Sequence, residues 1–267
     1  MENPGQSGGR QVTAARHEKP SHARTSARLL TRRAAALLVC VALWLPGCAH
    51  IGIVGASSEI LWRGRTNKKV VALTLDDGPN PKYTPGVLRF AREHHVKLTF
   101  FLLGREVQRY PDLARQEARD GHVIGNHGWD HELLIGAGDQ DCVNQIRRCE
   151  QAVSKACHVR TSLFRPPKGQ WDGEDALAIE RLGYRMVLWT VTVEHKAAKT
   201  PQEMADRVIS RVTPGAIILA HDGEPRPPID RHKTLAALPL VVEGLRKKGY
   251  TFITVPELID LSRQERK

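Results

Sequence analysis

VVALTLDDGPNP, residues 70–81, is the stretch on which the fold turns. Its first six residues are apolar or β-branched without a break, as in a strand covered on both faces. The run then ends on two adjacent carboxylates, Asp76 and Asp77, before Gly78-Pro79. No basic residue stands beside the pair, and an unpaired charge at the end of a buried strand is costly, so its partners must come from elsewhere in the fold. Asp-Gly-Pro is also good turn chemistry, but a turn alone leaves the two carboxylates unexplained.

Outward from this strand, short apolar runs alternate with longer amphipathic ones. Strand candidates are VVALTL (70–75), KLTFFLL (97–103), HVIGNH (122–127), SLFRPP (162–167), RMVLWTV (185–191), AIILAH (216–221) and TFITV (251–255). Helical patterns lie between them, several opening on Thr-Pro or an acidic residue and closing on basic residues or Gly. Strands alternating with helices predict an α/β chain with a parallel sheet, closed or nearly closed into a barrel; an open doubly wound sheet is the alternative. In either arrangement the C-terminal ends of the strands share one face. Asp76 and Asp77, His127 and His131, Arg165, and His221 and Asp222 all follow strands, so the topology brings them together.

The chemistry of these residues is specific. GNHGWDH sets His127 and His131 at i and i+4, which on a helical turn would place both imidazoles on one face; two surface histidines are the plainer reading. Two His and one Asp form a zinc-compatible triad with positions left open for water. Neighbours in extended chain point to opposite sides, so one Asp can bind a metal while the other accepts a proton. His221 at the mouth of another strand could donate a proton to a leaving amine or alcohol, or could be a satisfied core histidine. Arg165, in a double-proline turn, could pair with the base carboxylate and hold it ionised.

The ordered stretches TLDDGP, HGWDH, RPPKG and ILAH resemble the motifs of the polysaccharide deacetylases with a NodB homology domain, carbohydrate esterase family 4. The resemblance implies a single-domain distorted (β/α) barrel of about seven parallel strands over 67–262. It implies Asp76 as general base, Arg165 as its tether and His221 as general acid. Asp77, His127 and His131 would hold one divalent metal ion, zinc first, with cobalt, manganese or nickel as alternatives. Pro166, Lys168, Trp189 and Leu219 would contact the substrate, an acetylated polysaccharide or oligosaccharide. Lys168 stands where the family has an aromatic residue. Thr192 and His195 stand where its fourth motif carries two Asp, one of which supports the catalytic His; Glu194 is the nearby carboxylate expected to take over that support. A barrel that binds glycan without catalysis is the competing expectation.

Residues 1–47 read as an export leader, followed by a linker over 48–66. Seven of the 40 basic residues but two of the 29 acidic ones precede residue 34, so 33 face 27 in the remainder, and no nucleic-acid motif accompanies them. AAALLVCVALWLPGC is a basic-flanked apolar core too short for an ordinary span. Its Leu-Pro-Gly-Cys end resembles a lipoprotein box with Cys48 as the lipidated residue; a cleaved signal and an uncleaved anchor are the alternatives. The expected place is extracytoplasmic and membrane-anchored, with envelope amino sugars such as peptidoglycan, chitin oligomers or poly-N-acetylglucosamine as substrates and O-acetyl xylan as a further one. Cys142 and Cys149, about 10 Å apart along a helix, cannot pair; a bridge to Cys157 remains optional.

Overall fold

β1 (Val70–Asp76) is buried along nearly its whole length, and its two faces meet different surroundings. Val71, Leu73 and Leu75 pack outward into the core beneath the helices, while Ala72 joins a second apolar cluster inside the curl of the sheet. With the two-residue period of a strand, Thr74 and Asp76 share that inner face with Ala72. The computed structural model describes residues 60–223 and 229–266. The chain runs β1, α1 (Thr84–Glu93), β2 (Thr99–Leu102), α2 (Gly104–Arg109), α3 (Pro111–Arg119), β3 (Val123–Asn126) and α4 (Asp139–Cys157). It continues through β4 (Leu163–Phe164), α5 (Gly173–Arg181), β5 (Arg185–Met186), β6 (Val191–Thr192), α6 (Pro201–Arg211), β7 (Ala216–His221), α7 (His232–Lys247), β8 (Thr251–Phe252) and α8 (Val255–Gln264).

All strand pairs are parallel, in the order β5-β4-β3-β2-β1-β7-β6, with β8 on the first two residues of β1. RMVLWTV, expected as one strand, splits into β5 and β6, which lie at opposite edges of this order although only residues 187–190 separate them. One short segment therefore spans the gap between the edges, and the sheet is a curled, incompletely closed (β/α) barrel. Residues from the stretch expected to be linker help fill that gap. Leu61 bridges to Val187 and Arg63 to Ala216, and Gly64 N–H donates to Gly215 O at 2.8 Å. Inside the barrel, Leu61, Phe101 and Ile217 pack with Val255 and Leu258 of α8.

Helix starts follow local chemistry. Thr200 with Glu203 and Thr254 with Glu257 form capping boxes ahead of Pro201 and Pro256, and Asp172 with Asp175 does the same for α5. Cys142, Cys149 and Cys157 are buried free thiols, so the optional bridge does not form. Cys48 and the rest of the leader lie outside the described residues, and among the described residues no helix is long and apolar enough to cross a membrane.

The barrel interior also holds a charge. The Arg165 side chain, fully buried, donates from Nε to Val187 O (3.1 Å), from Nη1 to Thr74 Oγ1 (2.8 Å) and Asp76 Oδ1 (2.6 Å), and from Nη2 to Leu188 O (3.1 Å). Its guanidinium lies 4.1 Å from the Phe101 ring centroid. Removing it would strand both a buried carboxylate and two carbonyls of the edge-spanning segment. Arg165→Met is expected to lower unfolding stability by about 3–5 kcal/mol. The check is a denaturant titration beside the surface control Arg92→Met; equal midpoints for the two would refute a closing role for Arg165.

Candidate active site

Asp76 ends β1 in register with His221, the last residue of β7, so the topology sets the first carboxylate beside the second strand's imidazole. The chain then turns sharply. Asp77 has φ 76° and does not continue the strand, so the expected divergence of the two side chains gives way to convergence. Asp76 Oδ2 lies 3.7 Å and Asp77 Oδ1 3.6 Å from His127 Nε2. Gly223 makes this packing possible, because a Cβ there would sit 2.2 Å from Asp77 O.

His127 and His131 come together by a loop rather than the expected helical turn. Gly128 (φ 82°) and His131 itself (φ 69°) adopt left-handed backbone, which folds the loop back on itself. The rings meet edge to face with centroids 5.2 Å apart. His127 Nδ1 is 2.6 Å from Arg165 O, and since a carbonyl only accepts, Nδ1 carries the proton and Nε2 offers its lone pair. Burial lowers the His127 pKa to about 3, keeping the ring neutral. His131 Nε2 is 3.4 Å from Asp77 Oδ1, a buried oxygen without a hydrogen-bond partner. Asp77, His127 and His131 thus point an orphaned carboxylate oxygen and two imidazole nitrogens at one another within 4.8 Å, a donor set that suits a divalent cation.

Glu194 lies beside His221. Its Oε2 lies 3.2 Å from His221 Nδ1, an ion-pair contact. Oε1 accepts from the His221 backbone N–H (3.1 Å) and from Thr234 Oγ1 (2.9 Å), while Thr192 Oγ1 donates to Oε2 at 3.4 Å. Burial alone would lower the His221 pKa, but Glu194 outweighs it and, with Asp77 and Asp76, lifts it to about 8. Burial pushes the Glu194 pKa up, yet His221 and Arg231 bring it below its ordinary value. Burial also raises Asp76 above its ordinary value against the opposing pull of Arg165. His195 takes no part; its Nδ1 accepts the Ala197 N–H.

Asp76, Asp77, His127, His131 and His221 line one cavity of about 760 Å³. Trp189, Leu219, Thr192 and the exposed Lys168 line it as well, and the Trp189 ring packs so closely on Gly169 that a Cβ there would approach it to 2.7 Å. Pro166 is buried and does not line the cavity; it holds the turn that carries Arg165 and Lys168. The residue that sequence reasoning missed is Arg231. Almost fully buried just before α7, it places Nη2 3.7 Å from Asp77 Oδ2 and Nη1 3.7 Å from Glu194 Oε1, and Nε donates to Gly223 O at 3.0 Å. PPIDRHKT holds no motif that marks it; its place on the chain segment after β7 is the sole signal. Asp222, also singled out at the end of β7, is not part of the triad; it accepts from Thr84 Oγ1 at 2.5 Å and is raised by burial to about 7.

A curled (β/α) barrel with a hydrolase-like carboxylate and imidazole cluster at the C-terminal ends of its strands is the class that this geometry defines. A family model described as polysaccharide deacetylase matches residues 63–187. A peptidoglycan-N-acetylglucosamine deacetylase of Bacillus cereus is 35% identical over 202 residues, covering 75% of this chain and 92% of that protein. A chitooligosaccharide deacetylase of Azorhizobium caulinodans is 34% identical over 200 residues, covering 71% and 94%. The crystal structure of a peptidoglycan N-acetylglucosamine deacetylase in complex with 4-naphthalen-1-yl-N-oxidanyl-benzamide superposes with TM-score 0.71 at 30% identity, over 75% of this chain and 92% of that one. The chain belongs to the polysaccharide deacetylase family.

The His221–Glu194 contact predicts a titration. Histidine NMR is expected to find His221 titrating near 8, and Glu194→Gln to bring it down by about one unit or more. Because the folded pKa lies above the unfolded value, the pair adds stability below pH about 6.5 that is lost as pH rises through about 8. An unchanged titration in Glu194→Gln would show that another group charges the ring.

Proposed function

We propose that the chain hydrolyses acetyl groups, chiefly the N-acetyl of N-acetylglucosamine-type units, from an extracytoplasmic polysaccharide, using a divalent metal held by Asp77, His127 and His131. The observation that carries this reading is the orphaned Asp77 Oδ1 facing two imidazole nitrogens beside an independently tethered Asp76. A bound divalent cation supplies Lewis-acid polarisation of the acetyl carbonyl and of water. The protein's own residues do the rest. Asp76, its carboxyl raised by burial and held by Arg165, takes a proton from the attacking water. His221, kept protonated by Glu194, gives its proton to the departing sugar nitrogen as the C–N bond breaks, leaving acetate and a free amine. Trp189 and Leu219 offer apolar surface to the acetyl methyl, and Lys168 stands at the rim. Arg231 fixes Asp77 and Glu194 relative to each other.

The export leader and Cys48 support a lipid-anchored protein acting on envelope glycan. The changed fourth motif favours a second reading, a glycan-binding barrel without turnover, and the two readings part on one experiment. Acetate release from chitooligosaccharides and from peptidoglycan is expected to require added zinc or cobalt, to stop with chelator, and to fall at least about a thousandfold in Asp76→Asn. Metal content of that variant should stay at one ion per chain. Glycan binding without acetate release by the metal-loaded wild type would establish the second reading. Activity should also decline above pH about 8 as His221 loses its proton, and that limb should begin at lower pH in Glu194→Gln. An alkaline limb unmoved by the substitution would remove Glu194 from the mechanism.

A further inference from the structure

A second cavity, of about 560 Å³, lies among α2, α3 and α4. Gln108, Arg115, Arg148, Gln151 and Lys155 line it, and Trp129 contributes its ring. Trp129 belongs to the same loop as His127 and His131, so that loop faces the catalytic cavity with its imidazoles and the second cavity with its indole. The loop is held firmly. Trp129 N–H donates to Gln145 Oε1 at 2.6 Å, Trp129 O accepts from Arg105 N–H at 2.9 Å, and a Cβ on Gly104 would come within 2.7 Å of the indole.

The two cavities differ in charge. Asp76, Asp77, Asp130 and Glu132 line the catalytic one together with Arg105, Lys168 and Arg231, whereas the second presents three cations and no carboxylate. Arg115 is committed to Asp112 and to Ala156 O. Arg148 lies with its guanidinium 4.0 Å from the Trp129 ring centroid, and among the described residues neither it nor Lys155 has an ion-pair partner. A guanidinium stacked on an indole keeps its N–H edge free in a fixed plane, the arrangement that takes a carboxylate through two parallel hydrogen bonds. Gln108 and Gln151 offer amide donors and acceptors beside it, and Val107 and Ala152 offer apolar wall, which suits a peptide better than a bare phosphate. The helix α2 contributes Arg105 to the catalytic cavity and Val107 and Gln108 to the second, so the two cavities border one helix.

We propose that this groove binds a carboxylate-bearing peptide branch of the same glycan, so that the protein distinguishes peptide-substituted polymer from the bare sugar chain. The proposal rests on the deacetylase reading above. Arg148 and Lys155 are both exposed, so Arg148→Glu/Lys155→Glu should fold normally, which a thermal melt checks. On a peptide-bearing peptidoglycan fragment its KM should rise about tenfold with kcat nearly unchanged. On neutral chitooligosaccharide both constants should stay within about twofold. As a readout free of turnover, muramyl dipeptide should shift the Trp129 indole NMR resonance of the wild type but not of the double variant, and inorganic phosphate should leave it in place. Equal effects on both substrates, no effect on either, or displacement by phosphate would overturn the assignment. Muramyl dipeptide binding by a wild type that releases no acetate from either substrate would instead sink the deacetylase reading and leave the groove standing.

Discussion

The Arg165–Asp76 pair is the constraint to which the barrel and the site both answer. A guanidinium in a barrel interior is tolerable only if it is well hydrogen-bonded, and four bonds give each of its three nitrogens a partner. Two reach carbonyls of residues 187 and 188, the segment that crosses from one sheet edge to the other, and two reach the inner face of β1. The same contacts therefore hold the edges near each other and aim Asp76 into the cavity. The inner face of β1 reads Ala72, Thr74, Asp76: a small residue, a hydroxyl and a carboxylate, grading from packed core to reactive rim within one strand. β7 repeats the gradient with Ile217, Leu219 and His221. Parallel pairing in register then sets Asp76 against His221, so acid and base candidates from opposite ends of the chain become neighbours by hydrogen-bond geometry alone.

Much of this was legible in the sequence because it is periodic or local. Unbroken apolar runs named the strands, and reactive residues at their ends named the shared face. What escaped depends on closure in three dimensions. RMVLWTV reads as one strand because its composition is uniform, but the curled sheet needs its middle as a crossing and keeps only its ends paired. His127 and His131 at i and i+4 suggest a helix, yet Gly128 and the left-handed His131 make a tighter loop that the spacing does not distinguish. The capping box Thr254 to Glu257, by contrast, was visible before α8 and shows that a local signal can be passed over when the preceding residues look like a strand's end. Arg231 had no local signal at all; only the folded chain brings it between Asp77 and Glu194.

Of Thr192, Glu194 and His195, Glu194 is the residue whose carboxylate meets His221. In β6, Thr192 pairs with Leu219 and Val193 N–H reaches Leu219 O, so the chain beyond runs beside His221. Thr192 offers a hydroxyl too short to reach the imidazole, and His195 has already turned away. Glu194 stands between them with a longer side chain, and its carboxylate gathers His221 Nδ1, the His221 N–H, Thr234 and Arg231. A carboxylate held by four such contacts loses little orientation by being longer than Asp, because the contacts rather than the chain length place its oxygens. Arg231 adds a second consequence. By touching Asp77 as well, it ties the geometry of the His221–Glu194 contact to that of the Asp77 carboxylate, so that two parts of the site are positioned by one guanidinium, as Arg165 positions Asp76 and, through its backbone carbonyl, His127.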